Sequence, residues 1–259
     1  MHRYFIEMAY NGSRFHGWQI QPNAISVQEV MNDALNKALR QDINVVGCGR
    51  TDTGVHASYF VAHFDCVGVI EDPEQLVFKV NRIVGKDIVV YSILKVDGEA
   101  HSRFHASSRT YHYYLQTEKN PFLSEFSYRP LFRVDIELMN KAAKLLFDYT
   151  DFTSFSKLHT DTKTNNCKIL YAAWEPRAQG AVFVIKADRF LRNMVRAVVG
   201  TLLEVGRGKL SLQQFKKVIE SMDRGEAGTS VPPQALFLVD IEYPQEVFES
   251  KVKRQPPFS

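Results

Sequence analysis

An α+β fold is what this sequence predicts. Strand-like and helix-like patterns follow one another irregularly along 259 residues, without the regular strand–helix–strand succession of a parallel sheet. Turn signals such as Asn11-Gly12 and Gln179-Gly180 separate apolar segments, as they do between antiparallel strands. The length suits two domains of ordinary size, and the pattern restarts after Asn120-Pro121. The expected division is a first α+β subdomain over residues 1–118 and a second over 119–259.

Residues 3–10 alternate, with Tyr4, Ile6 and Met8 on one face and Phe5 and Glu7 on the other, which reads as a strand. Ser26 with Glu29 three residues later forms a capping box, and Val30, Ala34, Leu35 and Ala38 then recur at helical spacing to about residue 40. Residues 43–48 read as a short β-branched strand. Tyr59, Val61 and His63 against Phe60, Ala62 and Phe64 predict a strand over 58–66, so residues 50–57 form the loop between two strands. A helix is expected over 73–84, with strands over 88–96 and 109–117. In the second half a helix over 137–148 precedes a hairpin of 167–176 and 181–188. Met194, Val195, Val198, Val199 and Leu202 place a long helix over 190–205 that stops at Gly206. A helix over 211–222 and a strand over 236–241 follow. The chain beyond Tyr243, with its Lys/Arg/Pro stretch at 251–257, receives no assignment.

Composition narrows the function classes. The apolar fraction of 45% is that of an ordinary globular protein. Cys48, Cys66 and Cys167 are odd in number and make no CxxC pair, which argues against a disulfide framework or a zinc site. No signal-peptide core and no run of about 20 apolar residues is present, so a cytoplasmic protein without a membrane anchor is expected. A net charge of +3 permits a polyanionic partner without demanding one.

The loop Gly47-Cys48-Gly49-Arg50-Thr51-Asp52-Thr53-Gly54-Val55-His56-Ala57 combines backbone freedom with charge. Arg50 and Asp52 are alternate residues and point the same way in an extended segment. A carboxylate beside a guanidinium stays ionised, able to act as nucleophile or general base. Taken alone, an R-x-D between strands reads more readily as a solvated turn in which Asp52 caps an N–H and Arg50 makes a surface ion pair.

The surrounding motifs weigh against that reading. The loop resembles the active-site motif of the tRNA pseudouridine synthase A family, roughly G-x-G-R-T-D-(small)-G-V-H-A, with Thr53 slightly larger than usual. The run from Ala9 through Tyr10, Asn11, Gly12, Gly17, Trp18 and Gln19, followed by Val27-Gln28-Glu29, resembles the family's opening motif. His101-Ser102-Arg103-Phe104-His105-Ala106 with Arg109-Thr110-Tyr111-His112-Tyr113 resembles H-A-R-F-x-A…R-x-Y-x-Y. Phe190-Leu191-Arg192-Asn193-Met194-Val195-Arg196, with Gly200, Leu203, Val205 and Gly206, resembles F-L-x-x-M-V-R-x-x-V-G-x-L…V-G. Gly228-Thr229-Ser230-Val231-Pro232-Pro233…Leu236-Phe237-Leu238 resembles the closing motif, with Ala235 where Gly is usual. The likeness runs from residue 4 to about 243.

The resemblance implies a pseudouridine synthase fold: two similar α/β subdomains, largely antiparallel sheets joined into one extended sheet, helices packed on one side and an active-site cleft between them. It also implies an isomerase that converts uridine to pseudouridine at positions 38, 39 and 40 of the tRNA anticodon stem-loop, as a homodimer, without cofactor or metal. Asp52 matches the catalytic aspartate. Whether it attacks base or ribose, or abstracts a proton, stays open. Arg196 matches the arginine that pairs with it, Tyr111 the tyrosine that holds the uracil, and Leu236 the apolar residue that closes the pocket. Arg50 matches the arginine associated with extruding the target nucleotide, a step costing about a few kcal/mol.

Read without the resemblance, Tyr111 and Tyr113 fit ordinary strand positions, and Arg196 fits a surface charge on a buried stem. His101 and His105 have a metal-like spacing but no third ligand, and Cys48 lacks a base partner and reads as a packing residue. Arg14, Arg103, Arg109, Arg189, Arg192, Arg207 and Lys209 are candidates for tRNA phosphate contacts. Two rival classes remain: a non-catalytic tRNA-binding protein, and a hydrolase with an aspartate nucleophile. The second would bring an acidic metal cluster or a phosphate loop, and neither is visible.

Overall fold

The computed structural model describes residues 1–157 and 164–248; the basic stretch at 251–257 lies outside them. The described residues form two compact units. One contains Met1–Ser107 together with residues 238–248, and the other contains Ser108–Phe237.

In the first unit, strands β1 (His2–Tyr10), β3 (His56–Cys66) and β4 (Ile88–Val96) form a sheet with the short β2 (Val46–Gly47) and most of β8 (Leu236–Glu242). The order is β4-β1-β3-β8, with β2 on β3. β1 is antiparallel to both β3 and β4. Helix α1 (Val27–Leu39) starts at the expected capping box: Ser26 Oγ accepts from Glu29 N at 3.2 Å, and the Glu29 carboxylate accepts from Ser26 N. Helix α2 (Pro73–Ile83) is capped by Asp72 and packs against β4 and α1.

The expected strand at 43–48 shrinks to two residues for a visible reason. Ile43 N and Val45 N donate to the side chains of Asn36 and Asn32 on α1, at 2.6 and 2.9 Å. Backbone groups satisfied by side chains have no need of a ladder. Phe5 also departs from simple alternation. It sits on the face opposite Tyr4 and Ile6 and is still fully buried. Tyr243 and Phe248 cover it, with ring centroids 5.2 and 6.0 Å away. Those residues after β8 therefore close the second face of this sheet.

In the second unit, β5 (Ser108–Gln116), β7 (Gly180–Ala187) and β6 (Ile169–Arg177) are antiparallel in the order β5-β7-β6. Helices α3 (Ile136–Leu145), α4 (Met194–Gly206) and α5 (Leu212–Glu220) pack on one another. α4 is buried around most of its surface, as a helix at the centre of a core must be. It begins at Met194 and not at residue 190, because Asn193 adopts a left-handed backbone (φ 66°) that ends helical geometry on its N-terminal side.

The unit boundary also falls before the expected residue 118. β5 pairs with β7 over eight residues, from Arg109 opposite Ala187 to Gln116 opposite Gly180, so it belongs with the second unit. The chain then returns through β8 to complete the first.

Candidate active site

In the first unit the loop between β2 and β3 is held from beneath by the segment after β1. Thr51 is buried; its carbonyl accepts from Trp18 N at 3.3 Å, and its hydroxyl lies 2.9 Å from the Tyr10 hydroxyl. His56 is also buried, and its Nδ1 accepts from Gly12 N at 3.0 Å. That nitrogen therefore carries no proton, and the imidazole is a fixed part of the frame. Asp52 itself is half-buried at the turn: its carbonyl accepts from Val55 N at 3.1 Å, with Gly54 at a positive φ of 76°.

Two glycines make this approach possible. A Cβ at Gly12 would lie 1.9 Å from the Val55 carbonyl oxygen. A Cβ at Gly47 would strike the Trp18 indole at 2.6 Å, and that indole is stacked on Phe60 with centroids 4.2 Å apart. Gln28 then ties the parts together. Its amide nitrogen donates to Val45 O at 2.8 Å, its side-chain oxygen accepts from Ile20 N at 3.1 Å, and its backbone N–H donates to Trp18 O at 2.9 Å. The motif at residues 9–19 and the Val27-Gln28-Glu29 run thus serve as a cradle for the Asp52 loop. The sequence marks Asn11-Gly12 as a turn and Glu29 as part of a capping box, whereas their part in holding this loop depends on contacts distant along the chain.

Arg50 is exposed and forms no ion pair among the described residues. This corrects both the pairing with Asp52 that the alternate positions suggest and the surface ion pair of the solvated-turn reading. The extended direction of the chain at 50–52 is not enough to bring the two side chains together.

The second unit holds Tyr111, Arg196 and Leu236. Tyr111 lies mid-strand in β5, half-buried, with Phe190 edge-on at 5.1 Å and 89°. Tyr113 is fully buried, and its hydroxyl donates to Pro232 O at 3.0 Å. Burial holds the Tyr113 phenol well above its ordinary pKa, so it stays protonated. The segment 228–233 is clamped onto α4. Arg196 Nε donates to Val231 O at 2.7 Å, while Val231 N donates to Arg196 O at 3.2 Å. Thr201 Oγ1 accepts from Gly228 N at 2.9 Å and donates to Ala197 O at 2.8 Å. Asn193 and Arg224 both donate to Ser230 Oγ, at 2.6 and 2.8 Å. A Cβ at Gly200 would lie 2.0 Å from Thr229 O, so only glycine permits this docking. Leu236 follows directly and is buried. Arg224 is a further supporting residue; no motif pointed to it.

The candidate phosphate ligands differ in exposure and in local contacts. Arg192 and Lys209 are exposed, and Arg103 is exposed beside Phe104. Arg14 is exposed but pairs with Asp87 at 3.2 Å. Arg109 donates to Asp188 O at 2.8 Å, and Arg189 N donates to the Asp188 carboxylate at 2.7 Å. Arg207 pairs with Glu204 at 2.6 Å and lies 4.7 Å over the Phe132 ring.

His101 and His105 use their Nδ1 atoms to accept backbone N–H groups, and no cluster with metal-ligating composition exists among the described residues. Cys48, Cys66 and Cys167 are buried, and burial pushes the Cys167 thiol up to about 12. Among the described residues, no helix is long and apolar enough to cross a membrane.

The sequence profile of a family described as tRNA pseudouridine synthase matches residues 142–244. A tRNA pseudouridine synthase A from Parabacteroides distasonis is 58% identical over 248 residues, covering 96% of this chain and 98% of the relative. A protein of the same name from Bacteroides fragilis is 57% identical over 248 residues, covering 95% and 98%. One from Chlamydia muridarum is 37% identical over 244 residues, covering 92% and 91%. At such identity over nearly its whole length, and with the Asp52 loop set in its cradle, the chain belongs to the tRNA pseudouridine synthase A family.

Proposed function

We propose that this protein isomerises uridine to pseudouridine at positions 38, 39 and 40 of the tRNA anticodon stem-loop, with Asp52 as its catalytic residue. The observation that carries the reading is the Asp52 loop: the residues flanking the carboxylate are fixed by buried hydrogen bonds from Tyr10, Gly12 and Trp18. A reacting group needs that kind of preorganisation, whereas a solvated turn does not. The net reaction is redox-neutral. The bond from the ribose to uracil N1 breaks, a bond to uracil C5 forms, C5 gives up its proton and N1 gains one.

In this reading Arg196 keeps the Asp52 carboxylate charged, Tyr111 stacks on the uracil and Leu236 closes the apolar side. Arg50, extended from the loop, fills the space the flipped nucleotide leaves. The clamp on Arg196 through Val231 supports its role, since a guanidinium held by one nitrogen presents the rest in a set direction. Phosphate contacts come from the exposed basic residues, and a homodimer in the cytoplasm supplies a wider surface for the tRNA.

The test is incubation with unmodified tRNA transcripts, followed by chemical mapping of pseudouridine. Formation at positions 38–40 by the parent, and none by Asp52→Asn with tRNA affinity kept within about threefold, is the expected result. A parent that binds tRNA and forms no pseudouridine would leave a tRNA-binding protein without this activity.

A further inference from the structure

Phe104 is the most conspicuous feature of the first unit outside the Asp52 loop. The residue is 71% exposed, on a loop otherwise held by hydrogen bonds. The neighbouring Ser102 is fully buried; its hydroxyl donates to Val46 O at 2.8 Å and lies 2.9 Å from His63 Nδ1. Its carbonyl accepts from the Tyr243 hydroxyl. Arg3 Nη1 donates to Ala100 O at 3.1 Å while its Nε and Nη2 hold the Asp65 carboxylate at 2.8 Å. Within the loop, His101 Nδ1 accepts from Arg103 N at 3.1 Å, and His105 N donates to His101 O at 3.0 Å.

The rings form a short chain of tilted contacts. His63 is buried, His101 lies 4.5 Å from it, and Phe104 lies 4.3 Å from His101. The Arg103 guanidinium carbon sits 5.6 Å from the Phe104 centroid. Exposing a phenyl ring to water is unfavourable, and holding it rigid there gives no compensating burial. Phe122 is as exposed, at 87%, but has no ring or cation partner among the described residues. A rigid, outward ring beside a cation is the arrangement that takes an unstacked nucleobase. Val46, which Ser102 holds, is the residue before Gly47, where the Asp52 loop begins, so the loop of Phe104 and the loop of Asp52 share one anchor.

We propose that Phe104 is a stacking platform for an unpaired base of the tRNA anticodon stem-loop, with Arg103 meeting the adjoining phosphate. The inference rests on the tRNA reading above and adds a binding residue to it. Stacking on the ring needs π-character, not merely apolar bulk, so a leucine should fail where another aromatic residue succeeds.

The experiment compares the parent with Phe104→Leu, Phe104→Tyr and Phe104→Trp. The probe is an unmodified tRNA transcript with 2-aminopurine at single positions of the anticodon loop; binding, fluorescence and single-turnover pseudouridine formation are read together. Phe104→Leu is expected to weaken binding about tenfold and to abolish fluorescence quenching at one loop position, while the tyrosine and tryptophan variants stay within about threefold. Its thermal midpoint should match the parent's, because the side chain is largely in solvent. Parent-like binding and quenching by Phe104→Leu overturns the platform and leaves the activity reading standing. An altered oligomeric state of Phe104→Leu with unchanged RNA binding also overturns it, and assigns the ring to a contact between copies. A parent without pseudouridine formation, but with quenching that depends on an aromatic residue at 104, supports the platform and removes the activity reading. A parent that does not bind the transcript removes both.

Discussion

Gly12 and Val55 approach so closely that a Cβ on residue 12 would lie 1.9 Å from the Val55 carbonyl oxygen. Val55 lies three positions after Asp52, and the bond from Val55 N to Asp52 O closes the turn between them. Gly12→Ala therefore pushes directly on the Asp52 loop. Initial rates of pseudouridine formation are expected to fall at least tenfold, and urea unfolding to show a loss of about 1–3 kcal/mol. A parent-like rate would reduce Gly12 to an ordinary turn glycine.

Arg196 and Val231 bind each other twice, through Nε to carbonyl and through N–H to carbonyl. Arg196→Ala leaves the Val231 oxygen without its side-chain donor in a residue only 5% exposed. The expected cost is about 1–3 kcal/mol, together with loss of turnover. Thermal unfolding and single-turnover assays check the two parts separately. A variant as stable and as active as the parent would show that neither the clamp nor a pairing with Asp52 matters.

His63 gives the first unit a dependence on acid. Burial, then the positive charge of His101 and Arg3, lowers its pKa to about 4. An unfolded histidine takes its proton near 6.5, so the unfolded chain binds more protons between those values, and stability falls as pH falls through that window. The contribution is intact above about pH 6.5, and its loss approaches about 3 kcal/mol at the acid end. The parent should therefore lose about 2–3 kcal/mol more than His63→Gln between pH 7.5 and 4.5. Equal losses in urea titrations of the two proteins would remove His63 from that role.

Basic residues should separate by how exposed they are. Arg192 is exposed, whereas Arg207 is engaged by Glu204 and Phe132. Arg192→Ala is expected to lower the slope of log affinity against log salt by about one for tRNA. Arg207→Ala should leave the slope unchanged and cost about 1 kcal/mol or less of stability. The reverse pattern in filter-binding titrations would exchange their roles.

Much of the secondary structure was legible from local pattern. The capping box at Ser26 and Glu29 started α1 where expected, and residues 88–96 form β4 with those bounds. Periodicity reports only on a residue's near neighbours, and that explains the departures. The donors of Ile43 and Val45 went to asparagines on α1, Asn193 turned left-handed before α4, and Phe5 was buried by Phe248 at the far end of the chain. Each outcome depends on a partner distant in sequence.

The sequence by itself determined the α+β class and, through five ordered motifs, the family. Through that resemblance it also singled out Asp52, Arg50, Tyr111, Arg196 and Leu236, each by its match to a motif position. Only the tertiary structure decided what those motifs do physically: Tyr10, Gly12 and Trp18 cradle the Asp52 loop, and Val231 clamps Arg196. It likewise left Arg50 unpaired among the described residues and Phe104 fixed in the open. The reason is that hydrogen bonds and close glycine contacts are set by distances in space, and a spacing along the chain specifies those distances only within a turn or a strand.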